Sequence, residues 1–453
     1  MRGHRRRALP LAVILAIPLP AAALDLYVTT FADENDGACT PTHCSLREAV
    51  STANATQADT VILLKAGEYP LERANPDPGD DWPVEEDANQ LGDLDVHGQV
   101  SVIGKGVGVT RLNGRRLDRL FHVHAGARLT LRNLTVTQGL QTYDGGALLN
   151  QGRTYLHQVA FVDNRVAVTM PHPAERAGNG GAIGNFGVLE VHRSTFTRNL
   201  SNGEEAAAAG KGGALYNEGT LTLRDSLFSS NRALDYGEWG MGGALYNQGT
   251  ADIARTTFQG NEVSWSGFGS AIANAGQMVL ANSTLSGNRS IERGAFENGH
   301  PWRLPLSLQS RAELVHVTIA GNEGWGLTNR GVVLIRNSLI AGNRSSEFDA
   351  VRNCQNLPGA VDFQARGLLL GADGSTCTAE IYVANDTTFT HHLLPLQENN
   401  GSWVHPLRRT SAALDAGVGT CARHDQRGLD RPRDGNGDGL SNCDLGAFER
   451  AYP

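Results

Sequence analysis

Aromatic and charged side chains recur in the irregular segments between residues 200 and 303. The rings are Tyr236, Trp239, Trp265, Phe268 and Trp302. The charged residues among them include Glu204, Asp235, Glu238, Arg293 and His300. Flat rings cover the apolar faces of sugars, and charged groups bond sugar hydroxyls and carboxylates. These residues predict contact with an extended glycan, whereas the alternative is that the rings only anchor their own loops.

The same segments contain two arrangements that chemistry on a polysaccharide would need. A hydrolase uses two carboxylates about 5–9.5 Å apart, which Asp235 with Glu238, or Glu204 with either, would supply. A lyase uses a base and a cation that neutralises a uronate carboxylate, which His300 with Arg293 or Arg303 would supply. No recognisable catalytic motif surrounds these residues. We therefore interpret the chain as a non-enzymatic, adhesin-like glycan binder, with a lyase or hydrolase as the alternative and a purely structural surface protein as the second alternative.

A calcium site is predicted near the C-terminus. Asp434, Asn436 and Asp438 occupy positions 1, 3 and 5 of a calcium loop, with glycine at position 6. Leu445 stands at position 12, where a bidentate glutamate is expected, so Asp444 or Glu449 would have to replace it. The alternative is an Asp/Gly turn without an ion. In either case the segment is expected to stabilise the end of the chain.

The six cysteines fall into three close sets, which predict the disulfides Cys39–Cys44, Cys354–Cys377 and Cys421–Cys443. A zinc site is the alternative, but no CxxC pair occurs. Basic residues, the apolar run 8–19 and small residues 21–23 predict a signal peptide over residues 1–23. We therefore expect a secreted, extracellular or surface protein with no transmembrane segment after cleavage. The net charge of −8 argues against nucleic-acid binding, and we expect a monomer.

An internal repeat runs through the middle of the chain. The segments 145–164, 180–199, 212–231 and 242–261 align without gaps, and 269–288 and 326–343 continue the series. Each contains an asparagine before x-Gly and a second asparagine fourteen residues later. The first positions are Asn150, Asn185, Asn217, Asn247, Asn274 and Asn329. The second are Asn164, Asn199, Asn231, Asn261, Asn288 and Asn343.

The repeat predicts an all-β, single-stranded right-handed parallel β-helix. Apolar residues alternate over about four positions, as in Leu221 and Leu223, which is typical of short strands. A second apolar position holds Phe161, Phe196, Phe228, Phe258, Leu285 and Ile340. Stacked coils would align these into internal stacks and the asparagines into ladders at corners, where asparagine tolerates left-handed φ. The Gly-Gly pairs would open each coil.

The ends of such a solenoid need covering. Ser45 and Glu48 have the spacing of a capping box, and the residues after Ser45 predict a helix whose buried face is Leu46, Ala49, Val50 and Ala53. Strand 60–64 would then enter the first coil. Between the cap and the clear repeats, His122 and His124 alternate along a weaker strand. We interpret both histidines as ordinary strand residues.

Two terminal motifs resemble known families. The residues Cys44-Ser45-Leu46-Arg47-Glu48-Ala49, within 29–50, resemble the CSLREA domain. Segment 425–449 resembles the choice-of-anchor Q domain, and the GGALYN units resemble polymorphic outer-membrane and pectin-lyase-like β-helices. These resemblances imply a β-helix from an exported bacterial protein. Together with the signal peptide at 1–23, they predict an N-terminal cap at 24–70, the β-helix at 71–345 and a C-terminal cap at 346–453.

Overall fold

Two long, mainly parallel sheets wind into a β-helix in the computed structural model, which describes residues 23–452 apart from 57, 76–85, 169–177, 204–209, 236–239, 265 and 300–308. The first sheet contains strands Leu24–Tyr27, Thr60–Leu63, Gly67–Pro70, Gln99–Ile103, Thr110–Asn113, Arg128–Thr137, Arg153–Val162, Val188–His192, Thr195–Thr197, Thr220–Arg224, Leu227–Ser229, Thr250–Ala254, Thr257–Gln259, Gln277–Ala281, Thr284–Ser286, Arg311–Val315, Thr318–Ala320, Val332–Ala341, Asp362–Gly371 and Ile381–Val383.

The second sheet contains strands Leu94–Val96, Phe121–Val123, Leu140–Gln141, Leu148–Asn150, Arg165–Val168, Ile183–Asn185, Leu200–Gly203, Leu215–Asn217, Arg232–Asp235, Leu245–Asn247, Glu262–Val263, Ile272–Asn274, Arg289–Asn298, Glu323–Asn329, Arg344–Ser345, Ala350–Val351 and Cys354–Asn356. Strands of successive coils pair in parallel, as Leu215 pairs with Leu245, and Ala350–Val351 instead pairs antiparallel with Arg344–Ser345. The predicted parallel β-helix is therefore the observed fold.

In the core, apolar side chains from the equivalent position of each successive coil stack on one another. Phe161, Phe196, Phe228 and Phe258 are fully buried, with ring centroids 5.1, 4.4 and 5.0 Å apart along the stack. Leu285 continues this stack in register with Phe258. The apolar period of the sequence thus becomes one continuous internal stack, as predicted.

Two buried asparagine ladders connect the coils. In the first, the Nδ2 of Asn217 donates to Oδ1 of Asn247 at 2.7 Å, and that of Asn247 donates to Asn274 at 2.7 Å. In the second, the Nδ2 of Asn231 donates to Asn261 at 3.0 Å. Among the described residues the ladder asparagines are not left-handed, contrary to the expectation. The residue before each second asparagine takes that conformation instead, as Ser230 does at φ 57°.

The Gly-Gly pairs form the tight turns expected of them. The first glycine of each pair is left-handed, with φ of 65° at Gly145 and 66° at Gly212. A Cβ at Gly212 would lie 2.1 Å from the carbonyl oxygen of Leu215. Glycine is therefore required at this turn.

The N-terminal cap is the helix Leu46–Ala55. Its capping box is present: the amide of Glu48 donates to Oγ of Ser45 at 3.1 Å, and the Ser45 amide donates to the Glu48 carboxylate at 2.8 Å. The predicted apolar face, which includes Ala49 and Val50, is buried. The helix also buries Arg47, whose Nε lies 2.7 Å from the Asp33 carboxylate.

The C-terminal region packs against the side of the first sheet. It contains the short helical turns Asn385–Thr387 and Thr388–His392 and a hairpin of Gln397–Asn399 with Ser402–Val404. Nε2 of Gln426 donates to the hydroxyl of Thr257 at 2.8 Å, and its Oε1 accepts from the hydroxyl of Thr284 at 2.6 Å. Thr257 and Thr284 are register partners in successive coils. The three predicted disulfides, Cys39–Cys44, Cys354–Cys377 and Cys421–Cys443, are all present.

Candidate functional site

One column of side chains follows the outer face of the second sheet from end to end. Its register partners, in order, are Asp95, His122, Leu149, Gly184, Tyr216, Tyr246, Ala273, Glu297, Thr328 and Gln355. Their strand neighbours, such as Leu215 and Leu245, belong to the core cluster. Alternation therefore points this column outward. From Asp95 to Glu297 it extends about 34 Å, at about 4.8 Å per coil.

Cations lie over aromatic rings along this face. Lys211 Nζ is 5.7 Å from the ring centroid of Tyr246, which stacks on Tyr216 at 5.5 Å. Two arginines, Arg293 and Arg330, lie 4.9 and 5.8 Å from the ring of Phe268. All three rings are buried, so Phe268 does not offer the exposed face that a sugar-stacking ring needs. Its ring supports two half-buried guanidinium groups instead.

Glu297 is the perturbed acid of this face. Its side chain is 1% exposed, and Nε of Arg330 lies 3.1 Å from Oε1. Burial raises the pKa of Glu297 to about 7, although Arg330 and Arg293 oppose the shift. Within the described part of the chain, Oε2 has no hydrogen-bond partner. A carboxyl that gains and loses its proton near neutral pH beside two arginines is a candidate functional group.

Most of the site residues predicted from sequence lie outside the described residues. These are Glu204, Tyr236, Glu238, Trp239, Trp265, His300 and Trp302. Asp235 ends the strand Arg232–Asp235, and only its backbone is described. Arg293 is described, and it lies on the outer face beside Phe268. Their predicted ligand and catalytic roles stay predictions.

Sequence reasoning counted residues 289–298 among the irregular segments between 200 and 303, and so missed a strand there. Arg289–Asn298 is a strand of the second sheet, and Asn298 joins the first ladder between Asn274 and Asn329. Glycine follows Asn298 directly, whereas the other units have one residue between asparagine and glycine. That difference hid the strand, and with it the alignment of Glu297 with the tyrosines. The asparagine before Gly299 was the available signal.

The predicted calcium loop forms a turn closed by its own side chains. Both carboxylate oxygens of Asp434 accept backbone N–H groups, from Gly437 at 2.6 Å and Gly439 at 3.0 Å. Asn436 accepts from the amide of Asp438 at 2.8 Å. Asp444 is buried, and its oxygens accept from the amides of Asp415 and Arg450 at 2.9 and 2.6 Å. Calcium here stays a prediction.

A cavity of about 410 Å³ lies between the first sheet and the C-terminal region. Its wall includes Arg193, Asp225 and Arg255 from the corners of successive coils, with Trp403 from the hairpin. Arg255 is paired with Asp225 at 2.5 Å. Sequence reasoning did not single out this cavity, because Trp403 lies far from the repeats in the chain.

No family model matches this chain, and no curated protein matches it. Solved structures similar to it include the pectate lyase Pel9A, with 16% identity over 95% of this chain and 97% of that chain and a TM-score of 0.44. The PL6 family alginate lyase AlyGC has 13% identity over 85% of this chain and 55% of that chain, with a TM-score of 0.35. Pectin methylesterase PemA from Erwinia chrysanthemi has 11% identity, coverage of 82% and 96%, and a TM-score of 0.29.

At such low similarity the function has to be argued from this chain's own residues. In the described part of the chain no helix is long and apolar enough to cross a membrane. The outer face of the second sheet therefore remains the best candidate site, because it combines cations, rings and one perturbed carboxyl in a straight array.

Proposed function

We propose that this protein binds an extended, carboxylated polysaccharide along the outer face of the second sheet. The observation that carries the proposal is the pair of guanidinium groups held over one buried ring, at Arg293 and Arg330. Guanidinium forks match carboxylates in bidentate geometry and lose less freedom when their position is fixed by packing. A straight face with a constant rise per coil suits a polymer better than a compact ligand.

Charge at this face also favours an acidic ligand. Lys211 adds a third cation over Tyr246, and protonation of Glu297 near neutral pH would remove the one buried negative charge between the arginines. An acidic chain would therefore meet the two arginines without an opposing charge from Glu297, whereas Glu218 and Asp144 place negative charge near Tyr216. We propose an adhesin-like, secreted bacterial protein, a role supported by its three disulfides and by the CSLREA-like and choice-of-anchor Q-like motifs.

Affinity retention tests this proposal. The purified protein would be run through gels containing alginate, polygalacturonate or a neutral glucan, at low and high salt. We expect retardation by the acidic polymers only, with weaker retardation at high salt. Arg293→Ala should abolish it, whereas Arg153→Ala, an exposed arginine of the first sheet, should not. Equal retardation by the neutral glucan, or retention unchanged in Arg293→Ala, would overturn the proposal.

A polysaccharide lyase is the second candidate, favoured by the pKa of Glu297. In that reaction Glu297 would accept the C5 proton of a uronate, a C4–C5 double bond would form, and the C4–O bond would break with the leaving oxygen taking a proton from water. Arg293 would neutralise the uronate carboxylate. We rank it second because the Glu297 side chain is 1% exposed. Ultraviolet absorbance of an unsaturated product that is lost in Glu297→Gln would favour this reaction. No change in absorbance, with binding retained, would favour binding without catalysis.

A further inference from the structure

Two histidines and two aspartates converge at the N-terminal end of the second sheet. Asp95 lies in strand Leu94–Val96, and its register partner in the next coil is His122. His124 directly follows strand Phe121–Val123, which contains His122. Asp87 approaches from the preceding loop. One potential ligand atom from each of the four lies within 4.8 Å of all the others. The sequence interpretation of His122 and His124 as ordinary strand residues did not anticipate this convergence.

The distances match those of a metal site. His124 Nε2 lies 2.8 Å from Asp95 Oδ1, and His122 Nδ1 lies 3.5 Å from the same oxygen. Asp87 Oδ1 lies 3.8 and 3.9 Å from these two nitrogens. Ligands about 2.0–2.2 Å from a tetrahedral ion are about 3.3–3.6 Å from one another. A small adjustment of these side chains would therefore place all four atoms around one ion.

The polar atoms of this cluster lack other partners. His122 is 7% exposed, and among the described residues neither of its ring nitrogens makes a hydrogen bond. Asp95 is fully buried, and its Oδ2 is likewise without a hydrogen bond. A buried carboxylate needs a compensating charge. A divalent cation with two neutral imidazoles and two carboxylates gives a site of zero net charge.

The surroundings fix the ligands in place. The amide of Asp95 donates to Oδ1 of Asn89 at 2.7 Å, and Nδ2 of Asn89 donates to the Asp95 carbonyl at 3.0 Å. Asn54 of the capping helix donates to the same carbonyl at 2.6 Å. His97 stacks on His124 with centroids 4.0 Å apart. Such supporting contacts orient metal ligands.

From this geometry we infer a zinc-class divalent metal site formed by Asp87, Asp95, His122 and His124. Two imidazole nitrogens select a transition ion over calcium or magnesium. Four protein ligands complete a tetrahedral shell, so the site is structural rather than catalytic. The ion would join the first coils of the second sheet to the loop beside the capping helix. The inference is independent of glycan binding.

Metal analysis of tag-free protein tests it. After chelator treatment and dialysis, Zn²⁺ would be titrated in competition with a chromophoric chelator, and bound metal would be counted by mass spectrometry. We expect one Zn²⁺ per chain. Asn89→Ala, which removes both of its bonds to the Asp95 backbone, should weaken binding. The double variant His122→Ala/His124→Ala should weaken it further.

The control is His43→Ala, since His43 belongs to the other His/carboxylate group that the described residues form, with Asp36 and Glu48. Its zinc affinity should equal that of the wild type. Circular dichroism would confirm that each variant is folded, and Co²⁺ substitution gives a second readout through the visible absorption of a tetrahedral complex. Absence of stoichiometric zinc in the wild type, or unchanged affinity in the double variant, would overturn the site.

Discussion

The buried carboxyl of Glu297 makes the stability of this protein depend on pH in a predictable direction. Its pKa rises from 4.5 to about 7 in the folded protein, chiefly through burial. That difference corresponds to about 3 kcal/mol between the two protonation states. Because the folded state holds its proton more tightly, the contribution is complete below pH 4.5 and is lost as the pH rises to about 7. Glu297→Gln removes the titrating group but keeps an acceptor for Arg330.

We therefore expect the free energy of unfolding of the wild type, minus that of Glu297→Gln, to fall by about 3 kcal/mol between pH 4.5 and 7.5. Urea unfolding of both proteins across this range measures the difference. Thr328→Val, which alters the register neighbour of Glu297 without removing a titrating group, should shift stability by a constant amount. A difference that is independent of pH, or that grows with pH, would refute the proposed burial of a protonated acid.

Three further substitutions test the solenoid itself, each by denaturant unfolding. Phe228→Ala opens the buried ring stack and should cost about 3–5 kcal/mol, whereas Phe186→Ala, at a ring 37% exposed, should cost less than about 1 kcal/mol; equal costs would contradict the stack. Asn217→Ala removes the ladder bonds to Asn185 and Asn247 and should cost about 1–3 kcal/mol; a neutral effect would show that the ladder does not stabilise the fold. Gly212→Ala places a Cβ 2.1 Å from a carbonyl oxygen and should destabilise the protein more than Gly37→Ala, where the space is open.

The fold was predictable because each coil pairs with a copy of itself. The fourteen-residue offset between asparagines predicted which residues form the two ladders. The repeated phenylalanine position predicted which residues form the core stack. The capping box was equally readable, since Ser45 and Glu48 act on neighbouring backbone. Where the spacing changed, at Asn298, the same reasoning failed and the strand Arg289–Asn298 was missed.

The candidate sites were less predictable because they join different coils. Arg293 was selected from sequence, but its association with Phe268 and Arg330 appears only when three coils are stacked. Coils differ in length, since the register partners Asp95 and His122 lie 27 positions apart whereas Glu297 and Thr328 lie 31 positions apart. Counting along the chain does not reveal such pairs.

The sequence by itself determined the repeating backbone: strand, turn, ladder and stack recur because local spacing dictates them in every coil. Tertiary structure decided which outward side chains become neighbours, and how deeply each is buried. Burial converts Glu297 into an acid that titrates near neutrality, and the stacking of two coils brings Asp95 against His122 and His124. Both effects depend on desolvation and on distances across coils, which exist only after the chain has wound.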